Sequence, residues 1–146
     1  MNDINKEKAQ RLSSTFIQVF GNPFSIDFNI DKFILKSKEQ IAHNIYLYKR
    51  FFGTGGINAL ARVIIIETLN TECVYYNDEI NRIDGEKWKV DRDVILSWYV
   101  IEPEIKNILE SIENIISRFI RDKREQYKLE THDFLSKKQK EILNLT

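Results

Sequence analysis

The glycine run Gly53-Thr54-Gly55-Gly56 precedes a helical pattern, and the free amides of a helix N-terminus can hold a phosphate or carboxylate. A P-loop would close on Gly-Lys-Ser/Thr, whereas this chain continues Ile57-Asn58; a dinucleotide fingerprint would follow a strand, whereas this run follows a helical stripe. The run therefore reads as a tight turn between helices, with glycine supplying positive φ. His43 and His132 are the only histidines, so a three-histidine metal site is excluded, and the paired Glu-x-x-His motif of di-iron bundles is missing. Glu39 and His43 stand four residues apart, but two ligands do not make a site. Cys73 is the only cysteine, so it forms no internal disulfide, and nothing beside it activates the thiol; it reads as a small buried hydrophobe. Carboxylate pairs such as Asp78-Glu79 and Asp91 with Asp93 lie in polar settings that keep them ionised. No Gly-x-Ser-x-Gly elbow is present. On these grounds no cofactor, no metal and no catalytic residue is expected.

One enzymatic alternative is carried by cations. Helical ribonucleases of the HEPN class use an Arg-x(4–6)-His motif on a late helix. Here seven residues separate Arg124 from His132 and ten separate Arg121 from it, so both spacings miss the motif and no resemblance is claimed. His132 with Arg124 or Arg121 stays as the alternative catalytic set. Basic residues also gather in two places: Lys32, Lys36, Lys38, Lys49 and Arg50 around one helix, and Arg118, Arg121, Lys123, Arg124 and Lys128 near the end of another, with Tyr127 among them. Were the two clusters to share a face, they would track a phosphate backbone, as an RNA-binding protein requires. The competing reading is a solvated helix end balanced by Asp122, Glu125 and Glu130.

The middle of the chain tilts the other way. Residues 72–93 carry seven acids against Arg82, Lys87, Lys89 and Arg92, with Tyr75, Tyr76 and Trp88 interleaved. Aromatic anchors among acids suit a basic protein partner, and Tyr75, Tyr76, Asp78, Glu79 and Trp88 are the expected contact residues. The bland counterpart is a surface hairpin whose aromatics cover the bundle.

The elements that must position these residues are mostly helical. Between 101 and 120 stand seven isoleucines; with Leu109 and Phe119, the positions 105, 109, 112, 116 and 119 step by four and three, the period of one buried helix face. The same reasoning predicts helices over 3–20, from Ser37 through Phe52 behind the capping box Ser37-Lys38-Glu39-Gln40, over 57–70, from Asp91 or Asp93 to Ile101, from Glu104 to about Leu129, and from Thr131 onward. Pro103 is either a kink or a first-turn residue. Phe24, Ile26, Phe28 and Ile30 alternate with polar residues as in a half-buried strand, Cys73-Val74-Tyr75-Tyr76 has strand composition, and Asp84-Gly85 suits a two-residue hairpin turn.

The 146 residues are 42% hydrophobic and 30% charged, and 22 basic side chains balance 22 acidic ones. The expectation is one α-helical domain over 1–146: about six helices packed around a long C-terminal helix, with a small β excursion at 24–30, 72–90 or both. The polar N-terminus (Met1-Asn2-Asp3-Ile4-Asn5-Lys6) has no signal-peptide core, and the longest apolar run, Val63-Ile64-Ile65-Ile66, is far too short to span a bilayer, so the protein is expected in the cytoplasm, off the membrane. The expected function is non-enzymatic protein binding, of the kind found in small bacterial or phage inhibitors, immunity proteins and antitoxins. RNA binding or metal-independent RNA cleavage is the alternative, and self-association into a homodimer through the isoleucine stripe is a third reading.

Overall fold

The computed structural model describes residues 3–44, 56–76 and 81–144, with side-chain surroundings described through Gln126. It is mainly helical, as the periodicity predicts, with five α-helices among the described residues rather than about six: α1 (Asp3–Phe20), α2 (Ile30–His43), α3 (Ile57–Leu69), α4 (Arg92–Ile101) and α5 (Pro103–Asn144). A π-helical turn, Asn70–Val74, continues α3, and a hairpin of β1 (Arg82–Ile83) and β2 (Glu86–Lys87) lies between that turn and α4. The hairpin pairs Arg82 with Lys87 and Ile83 with Glu86, antiparallel. Asp84 and Gly85 both take positive φ, at 53° and 78°, the signature of the tight turn that their types suggest.

The core forms where α1, α3, α4 and α5 turn their apolar faces together. Ile105, Leu109, Ile112, Ile116 and Ile120 of α5 are all buried, and Phe119 is half-buried beside them, so the isoleucine stripe is the face that packs. At one end Phe16 stacks within 5.1–6.1 Å of Phe20, Phe28, Phe33 and Trp98, joining α1, α2 and α4 in one aromatic cluster. The Trp98 indole donates to one oxygen of Glu102 at 3.0 Å, and Ser13 donates to the other at 2.7 Å. Glu102 is therefore held between α1 and α4, just before Pro103 opens α5. Pro103 is a first-turn residue: its missing N–H is one that a helix start leaves unpaired.

Several expectations give way here. Residues 24–30 form no strand. Asn22 makes an Asx turn, its side chain accepting from the Phe24 N–H, and Asn29 caps α2 by accepting from the Lys32 N–H. Ile26 is left fully exposed. Gly21, at φ +90°, makes this exit from α1, where a side chain would collide with the backbone carbonyl of Asp27. The capping box at Ser37 does not start a helix, because α2 has already begun at Ile30; Ser37 is instead buried, its hydroxyl 3.0 Å from that of Thr68 on α3. Residues 73–76 lie in the π-helical turn and the residues after it, not in a strand. The break expected near residue 130 is absent, and α5 runs 42 residues unbroken. Of the glycine run only Gly56, the N-cap of α3, lies within the described residues, and its φ of −65° is ordinary. Ile45, Tyr48 and Phe52 of the expected second stripe lie outside them.

A candidate partner-binding groove

The π-helical turn and the hairpin build a groove between them. Inserting one extra residue per turn after Leu69 sets the Tyr75 N–H on the Asn70 carbonyl at 2.9 Å and turns Tyr75 out of the core. The Asn70 side chain points the other way, into the protein. It donates to the Val90 carbonyl at 2.9 Å and accepts from the Val90 N–H at 2.6 Å, so a fully buried amide acts as a one-residue strand partner for the segment after β2. The Trp88 N–H donates to the Asn81 carbonyl at 3.1 Å, extending the hairpin ladder by one bond, and Arg11 of α1 donates to the Arg82 carbonyl at 2.6 Å. With its backbone fixed this way, the extended segment alternates: Trp88 and Val90 face inward, Lys87 and Lys89 outward.

The result is an open groove of about 550 Å³ lined by Tyr75, Asn81, Lys87, Trp88 and Lys89. Tyr75 is 47% exposed and Tyr76, next to it, 82%, whereas Trp88 is only 5% exposed and contributes an edge to the groove. Burial pushes the Tyr75 phenol above its ordinary pKa and the Glu67 carboxylate adds to the rise, so it stays a hydroxyl donor through the neutral range. Among the described residues no carboxylate lines the groove, and no acid lies within ion-pair distance of Lys87 or Lys89.

Of the expected contact residues, Tyr75 and Trp88 thus meet in one groove, and Tyr76 stands exposed beside Tyr75. Trp88 belongs mainly to the core. Asp78 and Glu79 lie outside the described residues. Lys87, Lys89 and Asn81 join the groove without being marked by residue type, though the alternation of 86–90 around Trp88 and Val90 is a signal that places both lysines on one side.

The basic clusters fare differently. Lys38 of α2 and Lys123 of α5 both stand over the Phe119 ring, at 4.9 and 5.6 Å from its centroid, so the two clusters do touch at that point. Elsewhere they diverge. Lys32 donates to the Val19 carbonyl at 2.9 Å, and Lys36 pairs with Glu39 at 3.4 Å. Arg118 and Arg121 are exposed and lie about 140° and 160° around the helix from Lys123, so they belong to another side. Arg124 is half-buried and its Nε has no partner among the described residues. Lys49 and Arg50 lie outside those residues, and Tyr127 lies on α5 beyond the last described side chain.

The alternative catalytic set is spread along one rod. Because α5 does not break, His132 lies about 12 Å along the axis from Arg124 and about 16 Å from Arg121. Cys73 is buried in the core and its thiol is pushed up to about 12, chiefly by burial, with Glu72 adding to the rise and Lys32 opposing it. His43 ends α2. No helix among the described residues is long and apolar enough to cross a membrane. Compared with known proteins, the chain matches no family model, no curated protein and no solved structure.

Proposed function

We propose that this protein is a protein-binding module that engages its partner at the groove between the π-helical turn and the hairpin. One observation supports this reading above the others: the partly exposed Tyr75, with the exposed Tyr76 next to it in the chain, lines a groove whose far segment is pinned by the buried Asn70 amide. Exposed aromatics on fixed backbone lose little freedom when a partner covers them, and such residues dominate interface energetics. An inhibitor, immunity protein or antitoxin would work in this way, by covering a surface of its target rather than by chemistry of its own.

The test is affinity capture from the native cell extract without nuclease treatment, identifying bound protein and bound RNA together. A stoichiometric protein that is retained by the wild type and lost with Tyr75→Ala/Tyr76→Ala supports the module. The reading fails if that protein is held equally by the double variant. It fails also if only salt-released RNA is recovered, an outcome that would move the weight to the cations of α5.

A further inference from the structure

The charge of the groove suggests what enters it, an inference that rests on the module reading above. Window by window this stretch of chain is acidic, yet among the described residues no carboxylate lines the groove, Asp78 and Glu79 lying outside them. The alternation of the extended segment sends Lys87 and Lys89 to one side, two residues apart, and both line the groove together with Tyr75, Asn81 and Trp88. Glu86 shares the side of the pleat that Trp88 occupies but is not among the residues that line the groove. Neither lysine has a carboxylate within 4.0 Å among the described residues.

The contrast within the molecule is informative. Lys36 is matched by Glu39, Lys106 by Glu110, and Arg62 of α3 by Glu113 of α5. Lys32, Lys38 and Lys123 lie over phenylalanine rings of the fold itself. Among the described residues Lys87 and Lys89 have neither kind of partner, and both line the groove beside Tyr75.

We propose that the groove takes an acidic peptide segment of the partner carrying an aromatic side chain: its carboxylates meet Lys87 and Lys89, and its ring lies against Tyr75 and the edge of Trp88. This reverses the basic partner expected from composition, because among the described residues the charged side chains that line the groove are Lys87 and Lys89. The Tyr75 hydroxyl and the Asn81 side chain can add hydrogen bonds to the same segment. Electrostatic recognition of this kind is screened by salt, since both lysines are exposed.

The experiment uses the full chain and a fluorescein-labelled glutamate–tyrosine copolymer, with a lysine–tyrosine copolymer of the same length as the control, read by fluorescence anisotropy. The acidic copolymer is expected to bind, to weaken about tenfold or more between about 50 and about 200 mM salt, and to weaken by a similar factor with Lys87→Glu/Lys89→Glu. Arg118→Glu/Arg121→Glu is expected to leave it unchanged. Both lysines are exposed, so the variant's far-UV circular dichroism should match the wild type, and Lys87→Ala/Lys89→Ala gives the same test without adding charge. Tighter binding of the basic copolymer, or acidic binding that survives the lysine variants, overturns the inference. If the acidic copolymer does not bind while capture of a cellular partner still depends on Tyr75 and Tyr76, the acidic occupant is wrong and the module stands.

Discussion

The seam between α2 and α5 and the groove between the π-helical turn and the hairpin both carry two lysines and aromatic rings, but they use them in opposite ways. At the seam Lys38 and Lys123 lean over the partly buried Phe119, so the cations complete the packing of the fold. At the groove Lys87 and Lys89 point away from the core, and the backbone beneath them is fixed by Asn70 rather than by anything the lysines touch. Cation-and-aromatic composition is therefore not a signature of a binding surface by itself. What separates the two places is whether the fold already occupies the cation.

That contrast can be broken at several points, the largest effect lying beneath the groove. Cys73 shares the π-helical turn with Asn70, and its folded thiol titrates near 12 against 9.0 for an ordinary one. A raised folded pKa means that the stabilisation is fully present below pH 9 and is lost as pH rises toward 12. Urea midpoints should therefore fall from about pH 9 upward, by a few kcal/mol if the full shift is felt. Cys73→Ala should flatten that slope, leaving the part due to tyrosines such as Tyr75 and Tyr99, whose phenols are also raised.

Asn70→Ala should cost about 2–4 kcal/mol, because it strands both the N–H and the carbonyl of Val90 in the interior. It should also abolish partner capture even under conditions where the protein remains folded by circular dichroism. Phe119→Ala should cost about 2 kcal/mol, less than a fully buried ring, and should leave capture intact. Within the seam, a double-mutant cycle of Lys38→Ala with Phe119→Ala should show a coupling of about 0.5–1 kcal/mol. Smallest of all, Lys87→Ala/Lys89→Ala should move stability by less than about 0.5 kcal/mol. If that last variant destabilised the fold as much as Phe119→Ala, the two regions would not differ as described.

The helices were largely legible because burial follows the 3.6-residue period: Ile105, Leu109, Ile112 and Ile116 were readable as one face before any packing was known. Phe24, Ile26 and Phe28 misled, since alternation describes a strand only where a partner strand exists. Here Asn22 and Asn29 capture the backbone first. Cys73 to Tyr76 have strand propensity, but they follow directly on α3, so the π-helical turn takes up Cys73 and Val74, and Tyr75 and Tyr76 form the turn after it. Thr131-His132-Asp133 offers cap residues, yet no glycine or proline stands there to stop α5, so it continues. At the groove, the tyrosines could be read from type and spacing. Lys87 and Lys89 could not be read from a summed charge, because the information lay in which side of the pleat each residue occupies.

The unbroken α5 has a mechanical consequence. At 42 residues it is about 63 Å long, and among the described side chains its last buried core residue is Ile120. Bent by only about 10° where that buried stripe ends, at Ile120, it would sweep the Asn144 end through roughly 6 Å. The rod is thus a lever whose inner arm is gripped along the buried face from Ile105 to Ile120, behind the Glu102 contacts with Ser13 and Trp98 that precede it.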